Sequence, residues 1–164
     1  MVDVEIRRAQ LSDVGQIAEC LAAAFAPFRH LYTSDAFMDT VPAADALRDR
    51  IECMTVFVAV APVGLVVGTL AAACSDQEGH LRGMAVRPEW QGQGIARRLL
   101  MAAEDHLIES GCSRITLDTT DPLKKAIGLY ESCGFVRSGR VEDYFGMPLY
   151  EFVKQLSATE NFEL

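Results

Sequence analysis

The chain has 164 residues, of which 50% are hydrophobic and 23% charged, and its formal net charge at pH 7 is −8. This length predicts a single domain, residues 1–164, that buries most of its apolar surface on folding. The acidic excess repels polyanions, so we expect neither nucleic-acid binding nor attachment to an anionic membrane.

Cysteine usage and the amino terminus indicate the compartment. The five cysteines are scattered and lack a C-x-x-C pair, so we expect no metal site and no redox dithiol, but buried thiols in a reducing environment. The first residues show no basic segment followed by an apolar run, and no stretch is long enough to span a membrane. The prediction is a soluble, cytoplasmic protein.

The amino-terminal third predicts a strand followed by helices. Residues 4–8 are β-like, and Ser12 or Asp13 can cap a helix whose apolar residues recur at helical spacing. Residues 43–53 predict a second helix.

Residues 27–40 are predicted to be irregular and are rich in aromatic side chains. Phe28 and Tyr32 are therefore candidates for the wall of a binding pocket. The alternative, that these rings only cover the edge of the core, stays open because isolated apolar side chains at a surface are common.

The middle of the chain predicts three strands. Residues 55–61 and 65–74 are β-rich and joined by a hairpin signal, and the second run is apolar on both faces, as is typical of a central strand. Residues 80–86 continue as a third strand, in which Gly83 indicates a bulge beside the site.

The turn Gln91–Ala96, with the sequence QGQGIA, separates this strand from a helix of regular apolar spacing. Gly92 and Gly94 let the main chain approach a ligand, and the first N–H groups of a helix have no intrahelical acceptor. Such a helix start attracts phosphate oxygens.

The carboxyl-terminal third predicts a strand over residues 113–119 after the terminating Gly111. Asp121 then predicts an N-cap, with Pro122 at the first helical position of a helix that stops at Gly134. Closing strands follow over residues 135–140 and 150–156, joined by residues 143–148, and frayed residues from Ser157 onward.

The segment LRGMAVRPEWQGQGIARRLL, with the later AIGLYESCGF, resembles the GNAT superfamily of acyl-CoA-dependent N-acetyltransferases. Gln91, Gly94 and Ala96 meet the family signature [Q/R]-x-x-G-x-[G/A], after a Val-x-Pro-Glu lead-in. A glycine turn alone would also fit a nucleotide-phosphate enzyme, but no G-K-[S/T] or pair of metal-binding carboxylates accompanies it.

The resemblance implies an α/β (α+β) fold with a mixed, mostly antiparallel twisted sheet of about six to seven strands, about four flanking helices, and splayed fourth and fifth strands. It also implies acetyl-CoA as the cofactor. The fourth-strand backbone would pair with the pantetheine arm, and the turn would hold the pyrophosphate. The predicted cofactor-binding residues are therefore Met84, Ala85, Val86, Gln91, Gly92, Gln93, Gly94, Ile95, Ala96, Arg97 and Tyr130.

The resemblance further assigns catalytic roles. Tyr130 matches the tyrosine that often protonates the departing CoA thiolate, although it could instead be only a member of the helix's apolar stripe. For the general base we rank His80 first and Glu78 second, because many relatives have a glutamate where His80 stands and an imidazole can accept a proton near neutral pH. The alternative, that His80 is only a solvated histidine at the end of a strand, stays open. Where the family commonly has asparagine, this chain has Leu123, which predicts one lost polar contact to the coenzyme.

The predicted reaction is direct attack of a primary amine, from a small molecule or peptide, on the acetyl thioester in a ternary complex. The predicted substrate-binding residues are Phe28, Tyr32, Asp118 and Tyr144. The alternative is a non-catalytic acyl-CoA-binding sensor or interaction module on the same fold. A homodimer is plausible by family habit, and no residue stretch identifies the acceptor.

Overall fold

Runs of β-branched and apolar residues form a seven-stranded sheet in the computed structural model, which describes residues 2–156. The strands are β1 (Glu5–Arg8), β2 (Thr55–Val60), β3 (Val66–Ser75), β4 (Glu78–Val86), β5 (Arg114–Thr119), β6 (Val136–Tyr144) and β7 (Met147–Gln155). Their spatial order is β1-β2-β3-β4-β5-β7-β6, and neighbouring strands are antiparallel except for the parallel pair β4–β5. The predicted mixed sheet is confirmed.

Five α-helices flank this sheet within residues 2–156 and divide the core into two layers. They are α1 (Val14–Phe25), α2 (Ser34–Thr40), α3 (Ala44–Cys53), α4 (Ile95–Glu109) and α5 (Lys124–Ser132). One apolar cluster includes Leu99 and Leu107 of α4, and the other includes Leu21 of α1 and Leu47 of α3. Within the described residues, no helix combines the length and apolarity needed to cross a membrane.

Strands β4 and β5 are hydrogen-bonded to each other over only part of β4. The ladder joins Glu78–Leu81 to Arg114–Leu117 and ends there. From residue 82 to residue 86, β4 pairs with β3 and with no other strand among residues 2–156, so no described strand binds the backbone groups of its other edge. The predicted splay of the fourth and fifth strands is therefore present, as is the predicted central position of β3.

Residues 27–40, which we predicted to be irregular, are largely helical. A 3₁₀ helix covers Ala26–Leu31, and α2 follows it. Thr33 caps α2, since its Oγ1 accepts a hydrogen bond from the Ala36 N–H at 3.3 Å. A threonine cap in front of a short helix is a local signal that the aromatic composition of the segment hid.

Both predicted aspartate caps are wrong in detail. The Asp13 carboxylate is bound by the Arg7 guanidinium at 2.8 and 3.0 Å and stabilises a preceding 3₁₀ turn through the Gln10 N–H. The Asp121 carboxylate accepts a hydrogen bond from the Tyr150 hydroxyl at 3.1 Å, and α5 begins only at Lys124. In each case a side chain outside the helix binds the carboxylate instead, 6 residues away for Asp13 and 29 residues away for Asp121.

The predicted connection over residues 143–148 is much shorter in the structure. Strand β6 runs to Tyr144 and β7 starts at Met147, which leaves a two-residue hairpin turn of Phe145 and Gly146. Both turn residues have positive φ angles, 51° and 90°, as a type I′ hairpin turn requires. The predicted frayed segment from Ser157 lies outside the described residues.

The prediction of five buried thiols is wrong. Cys74, at the exposed end of β3, is joined to the buried Cys112 by a disulfide with Cα atoms 6.6 Å apart. Cys20 is a buried thiol, whereas Cys53 is exposed and Cys133 is half-buried. The two bonded cysteines are 38 positions apart, a spacing that has no short motif.

Candidate active site

The bulge in β4 lies where the strand loses its β5 partner. Leu70 of β3 faces both Gly83 and Met84, because the register shifts between Thr69 and Ala71. Gly83 has a φ of +69°, which a residue with a Cβ rarely adopts. The bulge predicted from this glycine is present, two residues beyond the last β4 residue that pairs with β5.

The turn Gln91–Ala96 leads into α4; residues 91–94 are exposed, Ile95 is buried and Ala96 is half-buried. Gly92 and Gly94 have φ angles of +78° and +82°, and a Cβ added to either would meet nothing within 4 Å. Ile95 is only 2% exposed and fixes the first turn of the helix. The Gln91 side chain donates to the Val86 carbonyl at 2.9 Å. The turn thus presents the unpaired N–H groups of the helix start to solvent.

The two arginines after the turn point in different directions. Arg97 donates to Ser132 Oγ at 2.9 Å and to Cys133 Sγ at 3.2 Å, so it connects α4 with α5. Arg98 donates instead to the Val4 carbonyl at 2.9 Å, beside the first strand. Arg97 therefore places a cation between the start of α4 and the end of α5.

A cavity of about 280 Å³ lies on the α1–α3 side of the gap. Its wall includes four of the predicted residues, Tyr32, His80, Asp118 and Tyr144, together with Leu123. The Tyr32 hydroxyl hydrogen-bonds Thr120 Oγ1 at 2.6 Å, and burial raises the pKa of this phenol. Side chains from both halves of the chain therefore meet in one cavity.

His80 is held by its neighbour on β5. Its Nδ1 lies 2.9 Å from Thr116 Oγ1, and that hydroxyl also contacts the Gly79 carbonyl at 3.4 Å. A hydroxyl has one proton, so donation to Gly79 leaves its oxygen to accept from the imidazole Nδ1–H. Nε2, 3.9 Å from Asp118 Oδ2, then carries the lone pair. Burial raises the pKa of the Asp118 carboxyl.

Tyr130 of α5 lies on the other side of the gap, beside a smaller cavity of about 60 Å³ that shares Gly83, Asp118 and Leu123 with the first. The side chain is 7% exposed, and its burial raises the pKa of the phenol, so the hydroxyl keeps its proton at neutral pH. Thr119 lines both cavities, and its buried Oγ1 has no hydrogen-bond partner among the described residues.

These observations test the fit of coenzyme A. The unpaired edge of β4 and the Thr119 hydroxyl, which has no partner among the described residues, are polar groups that can bind the amides of a pantetheine arm in the gap. The helix start at residue 95 supplies N–H donors for phosphate. The chain's donor set therefore suits the cofactor that the resemblance implied, with Met84, Ala85 and Val86 on the strand side.

Two predicted residues do not reach the cavity. Glu78 begins β4 and is exposed, two residues from His80 in the direction away from the cavity wall. Phe28 is half-buried and packs against the core cluster of α1 and α3. This agrees with the alternative interpretation, in which the ring only covers the edge of the core. The structure brings neither side chain together with His80, Asp118 or Tyr130.

Several residues of the cavity were missed from the sequence, among them Asp39, Arg50 and Arg82. Asp39 Oδ2 lies 2.6 Å from the Tyr144 hydroxyl and 3.7 Å from Arg82 Nη2. The position of Arg82 next to the bulge glycine was a signal that could have found it. Arg50 and Asp39 had none, since their helices meet β4 only in the folded chain.

A clasp of hydrogen bonds joins α2 to the β6–β7 turn. The Thr33 hydroxyl donates to the Phe145 carbonyl at 2.8 Å, and the Tyr144 hydroxyl lies 2.9 Å from Thr40 Oγ1. We call these two contacts, with Tyr144–Asp39, the α2 clasp. It closes the cavity with segments more than one hundred residues apart in the chain.

Two parallel strands separate here beside a glycine turn and the start of a helix. This arrangement is typical of proteins that bind a phosphate-bearing cofactor between two strands of a sheet. Residues 19–135 match the family model described as "Acetyltransferase (GNAT) family". The chain therefore belongs to the GNAT family of acetyltransferases, and the resemblance found in the sequence is confirmed.

Curated relatives match over part of their length. The chain is 37% identical over 75 residues to an aminoglycoside N(6')-acetyltransferase type 1 from Stenotrophomonas maltophilia, covering 46% of this chain and 48% of the relative. It is 34% identical over 86 residues to the N-alpha-acetyltransferase MAK3 from Arabidopsis thaliana, covering 50% and 45%. The match thus spans about half the length of these relatives.

Solved structures share the fold over nearly the whole chain. PaiA N-acetyltransferase from Thermoplasma acidophilum, in complex with coenzyme A, superposes with a TM-score of 0.79 at 18% identity, covering 94% of this chain and all of that one. The ribosomal-protein-S18-alanine N-acetyltransferase from Escherichia coli gives 0.77 at 21% identity, covering 99% and 100%. At these identities the likeness shows the fold.

Proposed function

We propose that the protein transfers the acetyl group of acetyl-CoA to a primary amine of a small molecule or peptide, by direct attack in a ternary complex. The observation that carries this proposal is the parting of β4 and β5 between the glycine turn and the cavity. A donor in the gap and an acceptor in the cavity would meet at the β4 bulge.

The donor side would be held by backbone groups. The turn Gln91–Ala96 and Arg97 would bind the pyrophosphate, and the free edge of β4 at Met84–Val86 would bind the pantetheine amides. Acetyl-CoA supplies the activated acetyl group as a thioester. A backbone N–H near Met84 or Ala85 would stabilise the charge that develops on the carbonyl oxygen.

His80 would act as the general base. Its Nδ1–H is directed to Thr116 Oγ1, which leaves Nε2 as the acceptor for a proton from the incoming ammonium, directly or through water. The Asp118 carboxylate, 3.9 Å from Nε2, would stabilise the imidazolium formed and attract a cationic amine. Glu78 is a weaker candidate because it lies outside the cavity.

Tyr130 would act as the general acid. Its phenol is buried beside the gap and its raised pKa keeps the proton on oxygen until a thiolate develops nearby. Leu123, in contact with both cavities, contributes apolar surface where the family commonly has an amide.

The proposal is tested with acetyl-CoA and a broad amine panel that includes an aminoglycoside, polyamines, amino acids and short peptides. We expect free-thiol release that depends on the amine, together with acetylated product by mass spectrometry. Calorimetric binding of acetyl-CoA with no product from any amine would instead favour the alternative, a non-catalytic acyl-CoA-binding module. ATP that outcompetes acetyl-CoA at the site would argue against both.

Four statements remain predictions from the sequence. They are the single domain, the cytoplasmic location, the homodimer, and the lack of affinity for nucleic acid and membranes. Light scattering, cell fractionation and binding assays with DNA and anionic vesicles test them separately.

A further inference from the structure

Arg50 is a charged side chain of the cavity that the catalytic proposal leaves unused. It lies in the last turn of α3 and lines the cavity of about 280 Å³. A Cβ built on Gly83 would come within 2.6 Å of Arg50 Nη1, so the guanidinium packs directly against the bulge backbone. The bulge glycine thus makes room for a cation in the cavity wall.

Positive charge is in excess at this end of the cavity. Within residues 2–156, no carboxylate oxygen lies within 4.0 Å of the Arg50 guanidinium. Burial and the nearby charge of Arg82 lower the pKa of Arg50 to about 10. Asp39 lies close enough to act on Arg50, but it is already bound by the Tyr144 hydroxyl and by Arg82. A half-buried cation in this state favours an anionic ligand.

The opposite charge pattern lies at the end that faces β5. There Asp118 and the Nε2 atom of His80 form a site for an ammonium group and its proton. The same cavity therefore presents one wall suited to an amine and another suited to an anion. Its volume of about 280 Å³ is at the small end of the ~300–1,000 Å³ usual for ligand pockets, which favours a small acceptor.

We propose that the acceptor carries a carboxylate as well as its amine, as a free amino acid or a very short peptide does, and that Arg50, assisted by Arg82, binds this carboxylate. An arginine fork matches a carboxylate with two parallel hydrogen bonds. The inference rests on the proposed acetyl transfer and specifies its substrate class, in contrast to polyamines and aminoglycosides, which lack a carboxylate.

The first test uses the unaltered protein. A panel of L-amino acids is compared with the corresponding C-terminal amides, which keep the amine and lose the negative charge. With acetyl-CoA saturating, we expect kcat/KM for the preferred acid to exceed that of its amide by roughly ten- to hundredfold. Equal values, or turnover of polyamines with no turnover of any acid, would overturn the inference.

The second test uses Arg50→Gln, with Arg48→Gln as its matched control on the exposed face of the same helix, where Arg48 pairs with Asp45. We expect Arg50→Gln to remove the preference for acid over amide and Arg48→Gln to keep it. A preference that survives in Arg50→Gln contradicts the inference. If Arg50→Gln melts early, Arg50→Lys, which keeps the charge and loses the fork, should show an intermediate preference.

Binding of acetyl-CoA distinguishes a failure of the proposed acetyl transfer from a failure of the proposed carboxylate site. Calorimetry should give the same acetyl-CoA affinity for the unaltered protein and for both variants. Acetyl-CoA binding without turnover of any amine contradicts the proposed function. In that case, thermal stabilisation by amino acids but not by their amides still supports the carboxylate site, and its absence rejects that site.

Discussion

The gap between β4 and β5 and the cavity of about 280 Å³ are the two ends of one proposed cleft, and they are built in different ways. The proposed donor end consists mainly of backbone groups from one continuous stretch, β4 and the turn Gln91–Ala96. The proposed acceptor end consists of side chains from α2, α3, β4, β5 and β6, which are far apart in the chain. A backbone site depends on local conformation and tolerates varied side chains, whereas a side-chain site depends on each residue type. We therefore expect a substitution of one side chain to affect the acceptor end more than the donor end.

Tyr130 lies between the two ends of the proposed cleft. Removal of its hydroxyl should have the largest effect on turnover. We expect Tyr130→Phe to lower kcat by about 100-fold or more, because a positioned general acid contributes roughly that factor. Acetyl-CoA affinity and melting temperature should change little, since the ring stays in its contact with Phe135.

The matched control is Tyr150→Phe, which removes a hydroxyl that binds Asp121 at the surface. Stopped-flow or steady-state thiol release compares the two variants. A Tyr130→Phe protein with an unchanged kcat would remove Tyr130 from the acid role.

Loss of the imidazole at position 80 should act on the acceptor end alone. We expect His80→Gln to lower kcat/KM by about 100-fold at neutral pH. It should leave the Kd for acetyl-CoA unchanged, because His80 lies in the wall of the acceptor cavity. Glutamine keeps a hydrogen-bonding group near Thr116, so folding should be retained.

His106→Gln is the control for this variant, because His106 lies on α4 and contacts Arg8 away from the cleft. Its kcat/KM should match that of the unaltered protein. A kcat/KM that stays unchanged in His80→Gln would assign the base elsewhere, and Glu78→Gln would then be measured next.

An alanine in the glycine turn should act on the donor end alone. Gly94 has a φ of +82°, and forcing an L-residue into that region costs about 1–2 kcal/mol. We expect Gly94→Ala to raise the Kd for acetyl-CoA about tenfold, with the KM for the acceptor unchanged at saturating acetyl-CoA. Gly128→Ala is the control, since Gly128 lies inside α5 with nothing within 4 Å of an added Cβ. Equal acetyl-CoA affinities for the two variants would show that the turn does not bind the cofactor.

The smallest expected effect comes from the clasp side of the acceptor end. Tyr144→Phe removes the hydroxyl that lies 2.6 Å from Asp39 Oδ2. One such hydrogen bond contributes about 1 kcal/mol, so the KM for the acceptor should rise about fivefold. The Kd for acetyl-CoA, measured by calorimetry, should not change. A change in both constants would mean that the two ends are coupled.

The same division explains what could be predicted from the sequence. The turn Gln91–Ala96, the bulge at Gly83 and the central strand β3 carry local patterns, and all three are present in the structure. Local patterns failed where a distant residue competed, as Tyr150 does for Asp121. They also missed Arg50, because nothing in α3 indicates that Gly83 of β4 will lie against its guanidinium.

The α2 clasp has a consequence for how this protein can vary. Thr33 and Tyr144 hold α2 and the β6–β7 hairpin in one arrangement, so a substitution in either segment shifts the surface that the other presents to the acceptor. Residues in direct contact are seldom energetically additive. Variation in acceptor choice should therefore show epistasis between these segments, and a chimera that exchanges α2 alone should lose more activity than one that exchanges both.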